Sequence, residues 1–231
     1  MGSCGLRIQA TARPILPDML EDKSVEPKVA IVVLAAGMAT RMGPEGGYKL
    51  LATFDGVPLV RRLALTAIAS KATSVTVVLG HRLDDMRKVL SDLSLNIVTN
   101  PDYASGMASS LTAGFAAVEP EGADGILVML ADMPGVTTPD LNQLILAFQN
   151  SQGTSILRAV SQGERGNPVI LPRSMYEAVS RLEGDIGARH LIETSELVVI
   201  EVEIGEAARI DVDTPSDVIA AGGVLMSDPK F

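Results

Sequence analysis

The sequence predicts an α/β domain built on a mostly parallel sheet with helices on both faces, and three observations carry that reading. Short β-branched runs alternate with helical segments from residue 29 almost to the C-terminus, the pattern of right-handed strand–helix–strand crossovers. The composition is 47% hydrophobic but only 3% aromatic, with no Trp, so the core must be made of Val, Ile, Leu, Ala and Met, as in buried parallel strands. A chain of 231 residues suffices for one generous domain and is too short to require two.

Residues 1–28 mix Arg13, Pro14 and Pro17 with acidic and small residues and show no sustained period, so they read as a flexible N-terminal extension. A single domain is expected over residues 29–222, followed by a tail over 223–231. Strands are expected at Val29–Ala35, Ser74–Leu79, Asn96–Thr99, Gly125–Met129, Ser155–Val160, Val169–Leu171 and Leu197–Ile204. Helices are expected between them, around Leu59–Ser70, Leu83–Leu90, Ser109–Val118, Leu141–Asn150, Met175–Leu182 and Pro215–Ala221. This order is Rossmann-like. Ligands of such sheets bind beyond the carboxyl ends of the strands, which directs attention to the loops after Ala35, Leu79, Thr99 and Met129.

Composition excludes several classes. A net charge of −9 argues against a nucleic-acid binder, whose affinity comes from clustered Lys and Arg. Cys4 is the only cysteine, which rules out an internal disulfide and speaks against a thiolate metal site. No apolar run approaches membrane-spanning length and the N-terminus lacks the apolar core of a secretion signal, so a cytoplasmic protein with no membrane partner is expected.

The first strand runs into Leu34, Ala35, Ala36 and Gly37, then Arg41, Met42 and Gly43, with Gly46, Gly47 and Lys49 following. Small residues at a strand end let backbone N–H groups approach a phosphate, and Arg41 and Lys49 supply the positive charge that a triphosphate needs. The spacing fits neither the P-loop nor the dinucleotide Gly-x-Gly-x-x-Gly pattern. Taken alone, it reads equally as a glycine-rich turn.

Asp132 follows an apolar strand and so stands at the carboxyl end of the sheet, where it serves either as a magnesium ligand or as a turn or cap residue. Asp211 and Asp213 are two apart in a segment expected to be extended, which turns both carboxylates one way and Val212 the other. Asp211 is the preferred metal ligand and Asp213 the second choice, since Asp213 or Thr214 is needed to cap a helix starting at Pro215. Gly106, Ser109 and Ser110 lie where a strand passes into a helix, suited to a ribose or base and equally to a plain helix start. His81 and His190 share no metal-like spacing and read as ordinary surface or loop residues.

The segment Leu-Ala-Ala-Gly-x-x-x-Arg-Met-Gly followed by Lys resembles the signature loop of the MobA-like NTP transferases. The resemblance continues in order through Gly106–Leu111, Ala131–Pro134, Gly166–Val169, Gly184–Arg189 and Asp211–Pro215, covering essentially everything from Val29 to Ala221. Within the family the combination is most similar to the molybdenum cofactor cytidylyltransferase branch, because the guanylyltransferase branch typically carries Leu-Ala-Gly-Gly in the first loop.

The resemblance implies a nucleotide-diphospho-sugar transferase-like fold and a Mg2+-dependent transfer of CMP from CTP, or another NTP, to molybdopterin with release of pyrophosphate. A molybdenum hydroxylase would receive the product. It implies catalytic roles for Arg41, Lys49 and Asp132, and nucleotide binding by Leu34, Ala35, Ala36, Gly37, Arg41, Lys49, Gly106, Ser109 and Ser110. Asp132 and Asp211 would hold the metal, and Gly166, Asn167, Pro168, Asp185 and Arg189 the acceptor. Two departures stand out: the stretch Gly43–Lys49 is longer and richer in glycine than the usual family loop, and Asn167 stands where part of the family has His. The competing readings are a guanylyltransferase or related transferase, a non-catalytic molybdenum-cofactor chaperone, and a nicotinamide-dependent oxidoreductase.

Overall fold

The computed structural model describes residues 26–42 and 48–225. Most of the expected extension and tail, and Gly43–Gly47 of the glycine-rich loop, lie outside them. The apolar run Val29–Ala35 forms β1, and a short hairpin follows from β2 (Thr53–Phe54) and β3 (Val57–Pro58). Strands β4 (Val75–Leu79), β5 (Asn96–Thr99) and β6 (Gly125–Leu130) come next. The last three are β7 (Ile156–Ser161), β8 (Glu164–Pro172) and β9 (Val199–Glu203). Seven of these make one sheet in the order β5-β4-β1-β6-β8-β7-β9. The first four run parallel to one another, and β7 runs parallel to β9. Only β8 runs against its neighbours β6 and β7.

The helices are α1 (Leu59–Ile68), α2 (Leu83–Leu90), α3 (Met107–Val118), α4 (Thr138–Asn150), α5 (Tyr176–Ser180), α6 (Ala188–Thr194) and α7 (Pro215–Ala220). They cover both faces, and the alternation along β1 shows how. Val29, Ile31 and Val33 join one buried cluster with Leu63 of α1, Met86 of α2, Phe148 of α4 and Val218 of α7. Ala30 and Val32 join the other with Leu111 and Phe115 of α3, Val179 of α5 and Ile192 of α6. Successive strand side chains point to opposite faces, so a strand covered on both sides must be apolar throughout.

The sheet departs from expectation at β8, which begins at Glu164 rather than near Val169 and turns back on β7. Gln162 and Gly163, both at positive φ (52° and 80°), make the two-residue connection whose twist matches paired antiparallel strands. Helix α6 was not expected, and the expected helix Met175–Leu182 divides into a 3-10 turn at Arg173–Met175 and the short α5. Helix α4 starts at Thr138, ahead of the expected Leu141, because Thr137 and Asp140 form a capping box. Among the described residues no helix is long and apolar enough to cross a membrane.

This topology positions the site. Leu34 of β1 pairs with Leu130 of β6, so the loop after Ala35 and the loop carrying Asp132 emerge side by side. The antiparallel course of β8 pairs Val169 with Val128, returning Gly166 and Asn167 to the same edge of the sheet.

Candidate active site

Lys49 is the hub of the carboxyl edge. It opens a 3-10 turn, Lys49–Leu51, whose Leu50 and Leu51 are buried, so the backbone is fixed by apolar packing while the ammonium group, itself largely covered, reaches the acidic side chains. Its Nζ donates to Asp132 Oδ2 at 2.7 Å and to Asp213 Oδ1 at 2.7 Å. Burial alone would lower the Lys49 pKa, but the carboxylates of Asp132 and Asp213 outweigh it and hold the group above its ordinary value. Arg41, 74% exposed, donates to the second oxygen of Asp213.

Three carboxylates meet here. Oxygens of Asp132, Asp211 and Asp213 all lie within 4.8 Å of one another. The Asp211–Asp213 segment is extended enough that Val212 is fully buried between the two acids, and its N–H donates to Asp132 O at 2.9 Å. Thr214, rather than Asp213, caps α7, paired with Asp217 in a capping box, which leaves Asp213 available to Lys49 and Arg41.

The two acids titrate in opposite senses. Burial, with the negative charges of Asp132 and Asp213, pushes Asp211 above the usual carboxylate range. The hydrogen bond from Lys49, against a smaller effect of burial, holds Asp213 below it.

The cluster fits a divalent cation. Asp132 Oδ1 is fully enclosed and has no hydrogen-bond partner among the described residues, an arrangement that is costly unless another electropositive group is present. Three hard carboxylate oxygens close to one another suit a hard divalent cation. Asp211 and Asp213 both take part in the cluster, and of the two it is Asp213 whose oxygens already accept from Lys49 and Arg41.

Beside the cluster lies a cavity of about 400 Å3, lined by Leu34, Ala35, Ala36, Gly37, Lys49 and Asp132 among others. The buried Tyr48 donates its hydroxyl to Gly37 O at 2.8 Å, and its burial drives the phenol's pKa well above the ordinary range. The His81 ring stands edge-on to the Tyr48 ring at 5.5 Å and tilted against the Tyr103 ring at 6.1 Å, while its backbone N–H donates to Ala36 O at 3.2 Å. It is a buttress of the loop and remains apart from the acidic cluster.

The opposite wall is the start of α3. Gly106 and Ser110 line the cavity, whereas the Ser109 hydroxyl is committed to Asp102 O and Gly106 O at 3.0 and 2.9 Å. The organiser is Asn100, 3% exposed, which donates to both serine hydroxyls at 2.9 Å and accepts from Asp102 N at 2.9 Å. Neither Asn100 nor Tyr103 is legible as a site residue in the sequence. The weak signal for Asn100 is a polar residue directly after the β5 strand.

The residues assigned to the acceptor divide. Asp185 lines the 400 Å3 cavity, while Gly166, Asn167 and Arg189 line a separate cavity of about 200 Å3. Pro168 is buried within β8.

A family model described as the MobA-like NTP transferase domain matches residues 31–199. The nicotine blue oxidoreductase of Paenarthrobacter nicotinovorans is 32% identical over 194 residues, covering 81% of this chain and 93% of that protein. The molybdenum cofactor cytidylyltransferase of Escherichia coli strain K12 is 24% identical, covering 82% and 93%. Among solved structures, Rv0371c of Mycobacterium tuberculosis in complex with manganese superposes with a TM-score of 0.70 at 25% identity, covering 84% of this chain and 97% of that one. The fold is also shared by a CMP-2-keto-3-deoxy-manno-octonic acid synthetase complexed with CTP, with a TM-score of 0.67 at 13% identity, covering 84% and 96%. The chain belongs to the MobA-like NTP transferase family, as a nucleotidyltransferase domain with an acidic cluster suited to a divalent metal ion.

Proposed function

We propose that the protein transfers CMP from CTP to molybdopterin and releases pyrophosphate, with magnesium as its metal. The observation that carries this reading is the enclosed, unpartnered Asp132 Oδ1 beside Asp211, Asp213 and Lys49 at the edge of the 400 Å3 cavity. Asp132 with Asp211 and Asp213 would hold magnesium, which when bound supplies positive charge to the phosphate oxygens and polarises the α-phosphorus. Lys49 and Arg41 balance negative charge on the transferring and leaving phosphates, and the small residues Ala35 to Gly37 let the nucleotide approach the backbone. The acceptor's own phosphate is the nucleophile, so no side chain need form a covalent intermediate. What the chain contributes is placement and charge. CTP rather than GTP is favoured by Ala36, which is 2% exposed and lines the cavity where the guanylyl branch carries Gly.

A ligand that binds only the native state raises its apparent melting temperature. Thermal shifts with magnesium and CTP, GTP, ATP or UTP should rank CTP first, and pyrophosphate release with CTP should require molybdopterin. CTP and molybdopterin giving no pyrophosphate would remove the reading.

A second reading, a redox activity, has the 32% identity to the nicotine blue oxidoreductase in its favour. The first loop lacks the dinucleotide glycine spacing, and stabilisation by NADH together with its oxidation would establish that alternative.

A further inference from the structure

Across Gly166 and Asn167 from the acidic cluster lies the cavity of about 200 Å3, walled by Arg158, Arg165 and Arg189. Charge balance at the transferring phosphate does not call for it. Arg158 is on β7 and 8% exposed. Its Nη2 donates to Glu201 Oε1 at 2.8 Å, yet its Nε, fully enclosed, meets no acceptor among the described residues.

A guanidinium is among the least favourable groups to bury, and leaving one of its donors idle adds to that penalty. Arg165 lies 3.5 Å from Glu193 and Arg189 3.1 Å from the same carboxylate. Three guanidinium groups thus share two carboxylates, and both Glu201 and Glu193 are more than 40% exposed at the rim (44% and 41%). The result is a locally cationic pocket in a chain of net charge −9.

The pocket also adjoins the site. Arg165, Gly166 and Asn167 wall a third cavity of about 180 Å3 that reaches Asp211 and Leu130, and Leu130 lines the nucleotide cavity as well. The three cavities succeed one another along the carboxyl edge of the sheet.

We infer that the Arg158 pocket is an oxyanion subsite, holding a carboxylate or tetrahedral oxyanion of a ligand separate from the nucleotide. The subsite stands on the arginine geometry and not on the nucleotidyl-transfer reading. Guanidinium groups present paired, planar donors that match either kind of oxyanion, and the hydrogen bond is strengthened by charge.

The test follows the arginine Nε–Hε signals of the 15N-labelled full chain during titration with sodium acetate or sodium sulfate, each against chloride at equal ionic strength. Saturable movement of the Arg158 signal with acetate identifies a carboxylate site, and with sulfate alone a tetrahedral one. Movement no greater than with chloride, in both titrations, overturns the inference. Arg158→Lys keeps the charge opposite Glu201 but removes Nε. Read through the Arg165 signal, it should bind on the order of tenfold more weakly, and undiminished affinity would also overturn the proposal. CTP affinity of the wild-type protein, measured alongside, reports on the nucleotidyl-transfer reading alone, so the two fail separately.

Discussion

Lys49 Nζ lies 2.7 Å from Asp132 Oδ2, although the two residues are 83 positions apart in the chain. The ammonium group satisfies one oxygen of Asp132, while the other, Oδ1, is enclosed and unpartnered. An ion pair that leaves an enclosed lone pair idle marks a position kept for a ligand more than one optimised for stability.

Asp132→Asn is therefore expected to fold and to lose most of its activity. The near-isosteric amide keeps the volume but removes the charge that a divalent cation needs, at a cost of several kcal/mol of transition-state stabilisation. Circular dichroism and pyrophosphate release on the purified variant, with manganese affinity read by electron paramagnetic resonance, check both halves. Near-native turnover would displace Asp132 from the metal site.

The opposite titrations of Asp211 and Asp213 give substitutions of opposite sign. Asp213 has a folded-state pKa below its ordinary value of 3.8, so its stabilising contribution is present above that value and is lost as pH falls through the folded pKa. Asp213→Asn should lower the melting temperature at pH 7, and the gap should close on acidification below about pH 4. Asp211 is shifted upward, so its ionised form is disfavoured by folding at neutral pH. Asp211→Asn should stabilise the metal-free protein slightly, by about a few tenths of a kcal/mol given its exposure, and weaken the stabilisation brought by magnesium. Thermal melts across pH, with and without magnesium, measure all of this.

Gly106 stands at φ 123°, and a Cβ there would lie 2.3 Å from Gly184 O. That carbonyl also accepts the Ala108 N–H at 3.1 Å, so the start of α3 and the Gly184–Asp185 turn are packed backbone to backbone. Gly106→Ala is expected to cost about 1–3 kcal/mol, a fall of a few degrees in melting temperature for a domain this size. Because Asp185 lines the cavity proposed for the nucleotide, the KM for CTP should rise as well. Differential scanning calorimetry and steady-state kinetics report the two effects, and an unaltered melting temperature would mean that this turn yields freely.

Base preference should respond to Ala36, which is buried and lines the cavity proposed for the nucleotide. Ala36→Gly makes room for a larger ring, and a methyl-sized change in a pocket is worth about 1–3 kcal/mol. The ratio of kcat/KM for CTP over GTP should fall roughly tenfold, as competition assays would show. An unchanged ratio would move base selection to the wall formed by Tyr103 and Ser110.

Where local pattern determines structure, the sequence was a sufficient guide. Strands β1 and β5 and helix α2 keep their expected limits because their apolar periods end on clear breaks. Strand β8 was cut short because its first residues, Glu164 to Asn167, are exposed or half-buried and carry no apolar signal. They are strand only through pairing with β7. The site followed the same rule. Lys49, Asp132 and Asp211 stand out at strand ends or in spaced pairs, but the partners of Asp213 lie 164 and 172 residues away, a distance that no local window sees. Asn100 is hidden for a different reason: its partners Ser109 and Ser110 are only 9 and 10 residues on, but a lone Asn directly after a strand reads as an ordinary turn residue.

The hydrogen bond from Tyr48 to Gly37 closes the base of the first loop eleven residues upstream of the tyrosine. Lys49 directly follows that clasp, so its reach to Asp132 is set by the knot rather than by how much chain is threaded between its two ends. The number of residues between Gly37 and Tyr48 therefore matters less to the position of the lysine than the clasp itself does.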